Sequence, residues 1–335
     1  MCGIAGVRRF EGEPITGEEL ILLLCSLEHR GKHATGIALE GPAGIVVHKA
    51  ALPAWNYTKS KEFTDFLEEH LTEETTTALL HTRWATIGNP EVNDNNHPIF
   101  DGTTAIVHNG MISNHFSIFA AEKMERSCET DSDVIRALFD KYGPDEKGIR
   151  ELNRMSGSAA IACMSEKYPG KLLLARSGSP LVYGFSEKGD KLYWASEAEA
   201  IITACKPFRK VRGVWTQDTK LNMSIGSMPD NTAWVFGPEE IELHHLFRTC
   251  NYYRQPDYSK GNESYHSKTR NWKRELRQKR HQVAIVPPAP VNAKNAALIG
   301  AVIKCPGCGM GVQNIYGKPW AQLHCPSEKC KSKLG

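Results

Sequence analysis

Along the first 247 positions apolar residues fall into short runs and helical spacings that follow no strict strand–helix alternation. Cys2–Arg9 is a short, mostly apolar run suited to a buried strand. Thr16 and Glu19 are spaced as a capping box, and Leu20, Leu23, Leu24 and Leu27 mark one face of a helix that Gly31 can terminate. Ala34–Leu39 and Ile45–Lys49 read as paired strands about a Gly41-Pro42 turn. Glu62–Leu71 reads as an amphipathic helix and Thr77–Arg83 as a further strand. A third helix starts at Thr130 or Asp131 and carries Val134, Ile135, Leu138 and Phe139 to Gly143. Strands follow at Ala159–Ser165, Lys171–Ala175, Leu181–Phe185 and Leu192–Ala195. Ser196 and Glu199 then cap a helix to about Ala204, and Thr232–Phe236 with Ile241–Leu246 form a hairpin about Gly237-Pro238. Many strands with a few helices interspersed fit an α+β layered fold.

Beyond residue 247 the pattern fails. Between Arg248 and His281 there are ten Lys/Arg against three Asp/Glu, a balance of +7 in a chain whose net charge is +3, so the remainder carries −4. A mildly acidic body thus joins a basic tail. Pro287-Pro288-Ala289-Pro290 marks a linker, and four of the ten cysteines cluster near the end. The expected organisation is a body at 2–247, a basic linker at 248–302 and a small cysteine module at 303–332. With 41% hydrophobic residues the body has material for a real core. The start lacks a secretory pattern, no apolar run approaches the ~18–20 residues of a membrane span, and the cysteine usage suits a reducing compartment. A soluble, cytoplasmic protein without membrane contact is expected.

Cys2 is the residue with the clearest chemical potential. Removal of Met1 places a thiol and an α-amine on one residue, and an α-amine with a reference pKa of about 7.7–8.0 is a useful general base near neutrality. Cys2 also reads simply as the start of a buried strand. The motifs that follow it decide between these. Met-Cys-Gly-Ile-Ala-Gly at 1–6, Glu-His-Arg-Gly at 28–31, His-Thr-Arg-Trp-Ala-Thr at 81–86, Asn95-Asn96-His97-Pro98, Val-His-Asn-Gly at 107–110, Glu-Thr-Asp at 129–131, Gly-Ser-Pro-Leu-Val at 178–182 and Ala195-Ser196-Glu197 occur in that order. The series resembles the class II glutamine amidotransferases, in particular the glutaminase half of glucosamine-6-phosphate synthase.

That resemblance implies a four-layer αββα sandwich of the N-terminal nucleophile hydrolase type, acting on glutamine. It casts Cys2 as nucleophile and the Asn109 amide with the Gly110 N–H as oxyanion donors. Arg83 would hold the substrate α-carboxylate, Asp131 its α-ammonium, and Thr86 would add a hydroxyl contact. Arg30 would hold the chain terminus. Trp84 either walls the pocket or packs in the core, and core packing is the expectation. Singly, plainer roles exist: Arg83 as a surface ion-pair residue, Asp131 as a helix N-cap, Asn109-Gly110 as a hairpin turn. Two departures stand out. Ile87 occupies a position where the family usually has His, and Lys32-His33 replaces its Tyr-Asp.

Residues 248–335 are too few for a synthase domain that consumes ammonia, so a separate ammonia-accepting enzyme is the expected partner. Other readings are a stand-alone amide hydrolase and a nucleic-acid- or protein-binding adaptor on an inactive body. Cys305, Cys308, Cys325 and Cys330 form two close pairs with the spacing of a structural Zn²⁺ ribbon, with disulfides as the alternative, and no cofactor is expected for glutamine hydrolysis. Tyrosines interleaved with Lys/Arg at 248–281 make nucleic acid a possible partner of the tail.

Overall fold

The computed structural model describes residues 1–205, 223–238 and 241–246, together with the backbone of Glu240 and of short strands at 208–211, 214–217, 291–292, 302–304 and 311–313. Two antiparallel sheets form the centre. In the first, β1 (Gly3–Arg9) lies between β10 (Lys191–Ala195) and β4 (Thr77–Arg83). β2 (Ala34–Gly41) and β3 (Gly44–Ala50) extend it on the β4 side, and β9 (Val182–Phe185) and β13 (Ile225–Ser227) on the other. The second runs β16 (Val291–Asn292), β15 (Glu240–His245), β14 (Thr232–Phe236), β8 (Leu172–Ser177), β7 (Gly157–Ser165), β6 (Thr104–Ile112) and β5 (Ile99–Phe100). Two separate antiparallel pairs complete the strands: β11 (Phe208–Val211) with β12 (Val214–Gln217), and β17 (Val302–Lys304) with β18 (Gly311–Gln313).

Three layers of apolar contact separate four layers of structure. Ile4, Ala38, Leu79 and Trp194 of the first sheet meet Val107, Ala162, Leu174 and Trp234 of the second. The opposite face of the first sheet, with Ala5, Val7, Ile37 and Leu80, is covered by α1 (Gly17–Ser26), α2 (Ala54–Tyr57), α3 (Lys61–His70) and α7 (Ala198–Cys205). The outer face of the second sheet is covered by α4 (His115–Glu122), α5 (Asp133–Tyr142) and α6 (Glu146–Leu152). The fold is therefore the αββα sandwich. Strands buried on both faces are apolar at consecutive positions, which is why Ile4, Ala5 and Val7 read as a continuous run rather than as alternation.

Local chemistry sets most of the boundaries. The Thr16–Glu19 capping box forms in both directions, Glu19 N–H to Thr16 Oγ1 at 3.2 Å and Thr16 N–H to Glu19 Oε2 at 2.8 Å. Helix α1 ends at Ser26, with Leu27 as its C-cap, rather than at Gly31, because a 3₁₀ turn (Glu28–Arg30) intervenes. Gly31 serves a different need: a Cβ there would lie 2.4 Å from the Arg83 carbonyl carbon and 2.7 Å from Trp84 N. Asp131 caps no helix; α5 begins at Asp133, after Ser132. Asn109-Gly110 makes no hairpin turn but lies within β6, paired with Ala160 and Ala159 of β7. No helix among the described residues is long and apolar enough to cross a membrane.

Candidate active site

Cys2 sits at the mouth of β1, where Gly3 pairs with Thr82 of β4 and so brings the Cys2 thiol beside Arg83 and Trp84. Its sulfur is held from both sides by one residue: Trp84 N–H donates to Sγ at 3.4 Å, and the thiol donates to Trp84 O at 3.6 Å. Arg30, 8% exposed, donates from Nε to Cys2 O at 2.9 Å and from Nη1 to Glu197 Oε1 at 2.5 Å. Ser196 closes the arrangement by accepting Ile4 N–H on its Oγ at 3.0 Å and donating its own N–H to Ile4 O at 2.8 Å. The separated motifs Glu-His-Arg-Gly and Ala-Ser-Glu thus anchor the backbone that carries the thiol.

Burial pushes the Cys2 thiol above its ordinary value; the Trp84 N–H, the chain's terminal ammonium and Arg83 pull it down, and Asp131 pushes it up. A thiol raised in this way needs a base to become a nucleophile. The same interactions place Arg83 and Asp131 within electrostatic reach of the sulfur.

Arg83 is 3% exposed and is no surface ion-pair residue. Its Nη1 donates to Asn96 Oδ1 at 2.7 Å, and Nη2 donates to the carbonyls of Ile87 at 2.6 Å and Gly88 at 2.9 Å. Ile87 therefore contributes its backbone here, which is indifferent to the His-to-Ile departure. Asn96 donates to Pro90 O at 2.7 Å and Asn95 to Glu129 Oε2 at 2.9 Å, while Glu129 N–H returns to Asn95 Oδ1 at 2.9 Å. The Asn-Asn and Glu-Thr-Asp motifs together shape the loop beyond Arg83. Asp131, 7% exposed, accepts the Ile112 N–H on Oδ2 at 2.6 Å, which ties it to the end of β6.

Asn109 is 4% exposed, and its Nδ2 has no hydrogen-bond partner among the described residues. Buried amide donors are nearly always paired, so the unpartnered Asn109 Nδ2 is a donor open to a bound group. Gly110 has φ +154, and a Cβ there would lie 2.0 Å from Ser158 O, so only glycine fits. Thr86 and Trp84 are exposed on the loop after β4. Trp84, at 47% exposure, is outside the core, contrary to the packing expectation. Its ring lies 4.9 Å from that of His33, a residue the sequence marked only as a departure.

Behind the site three histidines meet in the interior. The His81 and His97 rings stack at 4.2 Å, and His81 Nε2 lies 3.2 Å from His108 O. Burial pushes His81 down to about 3 and His97 well below its ordinary value. Both are neutral when folded, whereas unfolded imidazole titrates near about 6.5. As pH falls below that point the unfolded chain takes up protons that the folded chain refuses. Stability should fall from about pH 6.5 towards 3, each histidine steepening the slope by at most about 1.4 kcal/mol per pH unit. Glu122 is held down to about 2 by Lys141, Tyr142 and Arg154, so its contribution is lost below about pH 4.5, a lower window. Melting temperature against pH checks this: His97→Asn should flatten the slope between about pH 6 and 5, and an unchanged slope would refute the assignment.

The cysteines Cys305, Cys308, Cys325 and Cys330 lie outside the described residues, as do the basic stretch 248–281 and most of the linker. The described antiparallel pair β17–β18 flanks residues 305–310, where Cys305 and Cys308 fall. Cys2, Cys25, Cys128, Cys163 and Cys205 are free.

The fold is an αββα sandwich that carries a thiol at the start of its first strand, the arrangement expected of an N-terminal-nucleophile fold. Residues 66–223 match the family described as a glutamine amidotransferase domain. Glutamine–fructose-6-phosphate aminotransferase (isomerizing) of Rhizobium meliloti (strain 1021) is 34% identical over 283 residues, covering 77% of this chain and 43% of the relative. The like-named enzyme of Methanosarcina mazei is 35% identical over 223 residues, covering 60% and 33%. Among solved structures, the glutamine phosphoribosylpyrophosphate amidotransferase from B. subtilis, complexed with ADP and GMP, superposes with a TM-score of 0.54 at 19% identity, over 73% of this chain and 49% of that one. The body of this chain is a class II glutamine amidotransferase domain, homologous to the glutaminase domain of glucosamine-6-phosphate synthase. The chain spans less than half the length of these curated relatives.

Proposed function

We propose that the domain hydrolyses the side-chain amide of glutamine through a thioester on Cys2, with Met1 removed, and supplies the ammonia to a separate acceptor enzyme. The observation that carries the reading is the grip of Trp84 on the Cys2 sulfur at the end of β4, with Arg83 and Asp131 both acting on that thiol. The Cys2 α-amine takes the thiol proton as sulfur attacks the amide carbon, and the oxyanion accepts from Asn109 Nδ2 and the Gly110 N–H. The C–N bond then breaks, the amine returns its proton to the leaving nitrogen, and ammonia departs. Water adds to the thioester, giving glutamate and the free thiol. Arg83 keeps two of its five N–H donors for the substrate carboxylate, Asp131 offers its second oxygen to the ammonium, and Thr86 lies on the adjoining loop.

What supports a separate acceptor is the make-up of the tail, whose basic stretch at 248–281 and paired cysteines near the end suit docking to a partner. We assign the four cysteines of that module to a structural Zn²⁺, supported by their paired spacing and by the β17–β18 pair around the first two. The test is one preparation of the full chain. Intact mass should show Met1 removed, glutamine should yield equal glutamate and ammonia, and elemental analysis should find one zinc per chain. Met1 retained or no glutamate formed would reject the hydrolytic reading and favour an adaptor on an inactive body.

A further inference from the structure

We infer that His33 is a positioning residue for the nucleophile, acting as a clamp on residues 83–85; the inference rests on the reading of Cys2 given above. His33 is exposed and belongs to no helix or strand. Three separate contacts nevertheless tie it to one short stretch. Its backbone N–H donates to Arg83 O at 3.0 Å. Its ring Nδ1 accepts the Ala85 N–H at 2.9 Å. Its ring packs on the Trp84 indole at 4.9 Å between centroids, with 37° between planes. The middle residue of this stretch, Trp84, is the one whose N–H and C=O both meet the Cys2 sulfur.

The physical need for such a clamp follows from where the stretch lies. β4 ends at Arg83, so Trp84 and Ala85 have left the ladder that holds Thr82 and Arg83 against β1 and β2. Their N–H groups require partners from elsewhere. Sulfur satisfies Trp84 and imidazole satisfies Ala85. Because a backbone N–H can only donate, Nδ1 must be unprotonated and the ring proton must sit on Nε2. Gly31, two residues before His33, permits the approach by placing no Cβ against the backbone of 82–84. His33 so fixes the peptide planes on both sides of Trp84, and with them the direction from which the thiol is held. Among the described residues its ring bonds Ala85 N–H and packs on Trp84, so it acts on the sulfur through that stretch.

What the position requires is an acceptor directed at Ala85 N–H. His33→Ala removes it, and His33→Asp or His33→Asn returns an acceptor on a shorter side chain. As His33 is exposed, the fold should tolerate all three. We expect His33→Ala to lower kcat for glutamine on the order of tenfold, ångström-scale misplacement of reacting groups being worth up to about a hundredfold. KM should stay within about twofold, because substrate-binding groups are untouched. At least one of the Asp and Asn variants should recover most of the rate. Iodoacetamide labelling of Cys2, followed by peptide mass, should slow in His33→Ala, since the Trp84 N–H that stabilises the thiolate is no longer held on the sulfur. If wild type releases no glutamate, the hydrolytic reading fails, while the labelling comparison still tests the clamp. Wild-type kcat and labelling in His33→Ala, or a loss that neither Asp nor Asn restores, would overturn the inference.

Discussion

Replacing Cys2 by Ala should abolish glutamine-dependent release of glutamate and ammonia while leaving the fold intact. Among the described residues the sulfur makes two weak hydrogen bonds, both to Trp84, so its loss costs the fold little. Its chemistry has no evident substitute. The free cysteines Cys25 and Cys163 belong to other surroundings, against Thr58 and within the second sheet's outer core respectively. Cys128 lies nearer, close enough to Arg83 to affect it, but is bonded to Thr130 and has no α-amine of its own to serve as base. Activity should therefore drop by at least about 10⁴-fold, the scale reached when a nucleophile is removed from a unit that acts together. Glutamate release at wild-type protein concentration, read beside a melting curve, checks both halves of the expectation. Measurable turnover in a preparation free of wild type would remove Cys2 from the mechanism. A second use of the same protein is equilibrium glutamine binding, which should survive because Arg83 and Asp131 remain.

Asn109→Ala should lower kcat by about 10²–10³-fold, the usual consequence of deleting one oxyanion donor. This substitution separates catalysis from stability unusually well. In most buried positions an Asn amide is bonded, and its removal costs stability as well as function. Here Nδ2 has no partner among the described residues, so the folded protein loses no hydrogen bond through that atom. Melting temperature should hold steady or rise as kcat falls, and KM should change by less than about threefold if the donor serves the oxyanion rather than the ground state. A drop in stability with unaltered kcat would instead make Asn109 a structural residue. The adjacent Gly110 offers no comparable clean test, because any side chain there collides with Ser158 O.

Asn109 and Gly110 also show how a local signal and the tertiary structure can disagree. Asn-Gly is a strong turn signal because both residues tolerate positive φ. Gly110 does take φ +154, yet the chain runs straight on through β6 to Ile112. The glycine is required by the close approach of Ser158 across the β6–β7 ladder, and no neighbour in sequence reveals that approach. Trp84 is a second case. An indole after an apolar strand suggests core packing, but β4 ends one residue earlier and leaves the ring on the surface against His33. His33 is a third, since its contacts depend on a 3₁₀ turn bringing residues 30–33 beneath the end of β4.

By itself the sequence determined the elements whose cause is local or periodic. The Thr16–Glu19 capping box, the Gly41-Pro42 turn between β2 and β3, the strand Thr77–Arg83 and the hairpin about Gly237-Pro238 all lie where their residues place them. It also nominated a set of candidate chemical groups, because Cys2, Arg83, Asn109, Gly110 and Asp131 sit in motifs dense enough to recognise. Only the tertiary structure decided what each group faces. Arg83 could have been an ion-pair residue until β1 and β4 paired and buried it. Asp131 could have been a cap until its carboxylate met Ile112 N–H. Spacing along a chain specifies torsional preference and periodicity, whereas desolvation and hydrogen-bond partners come from segments up to 192 residues away, as with Ile4 and Ser196.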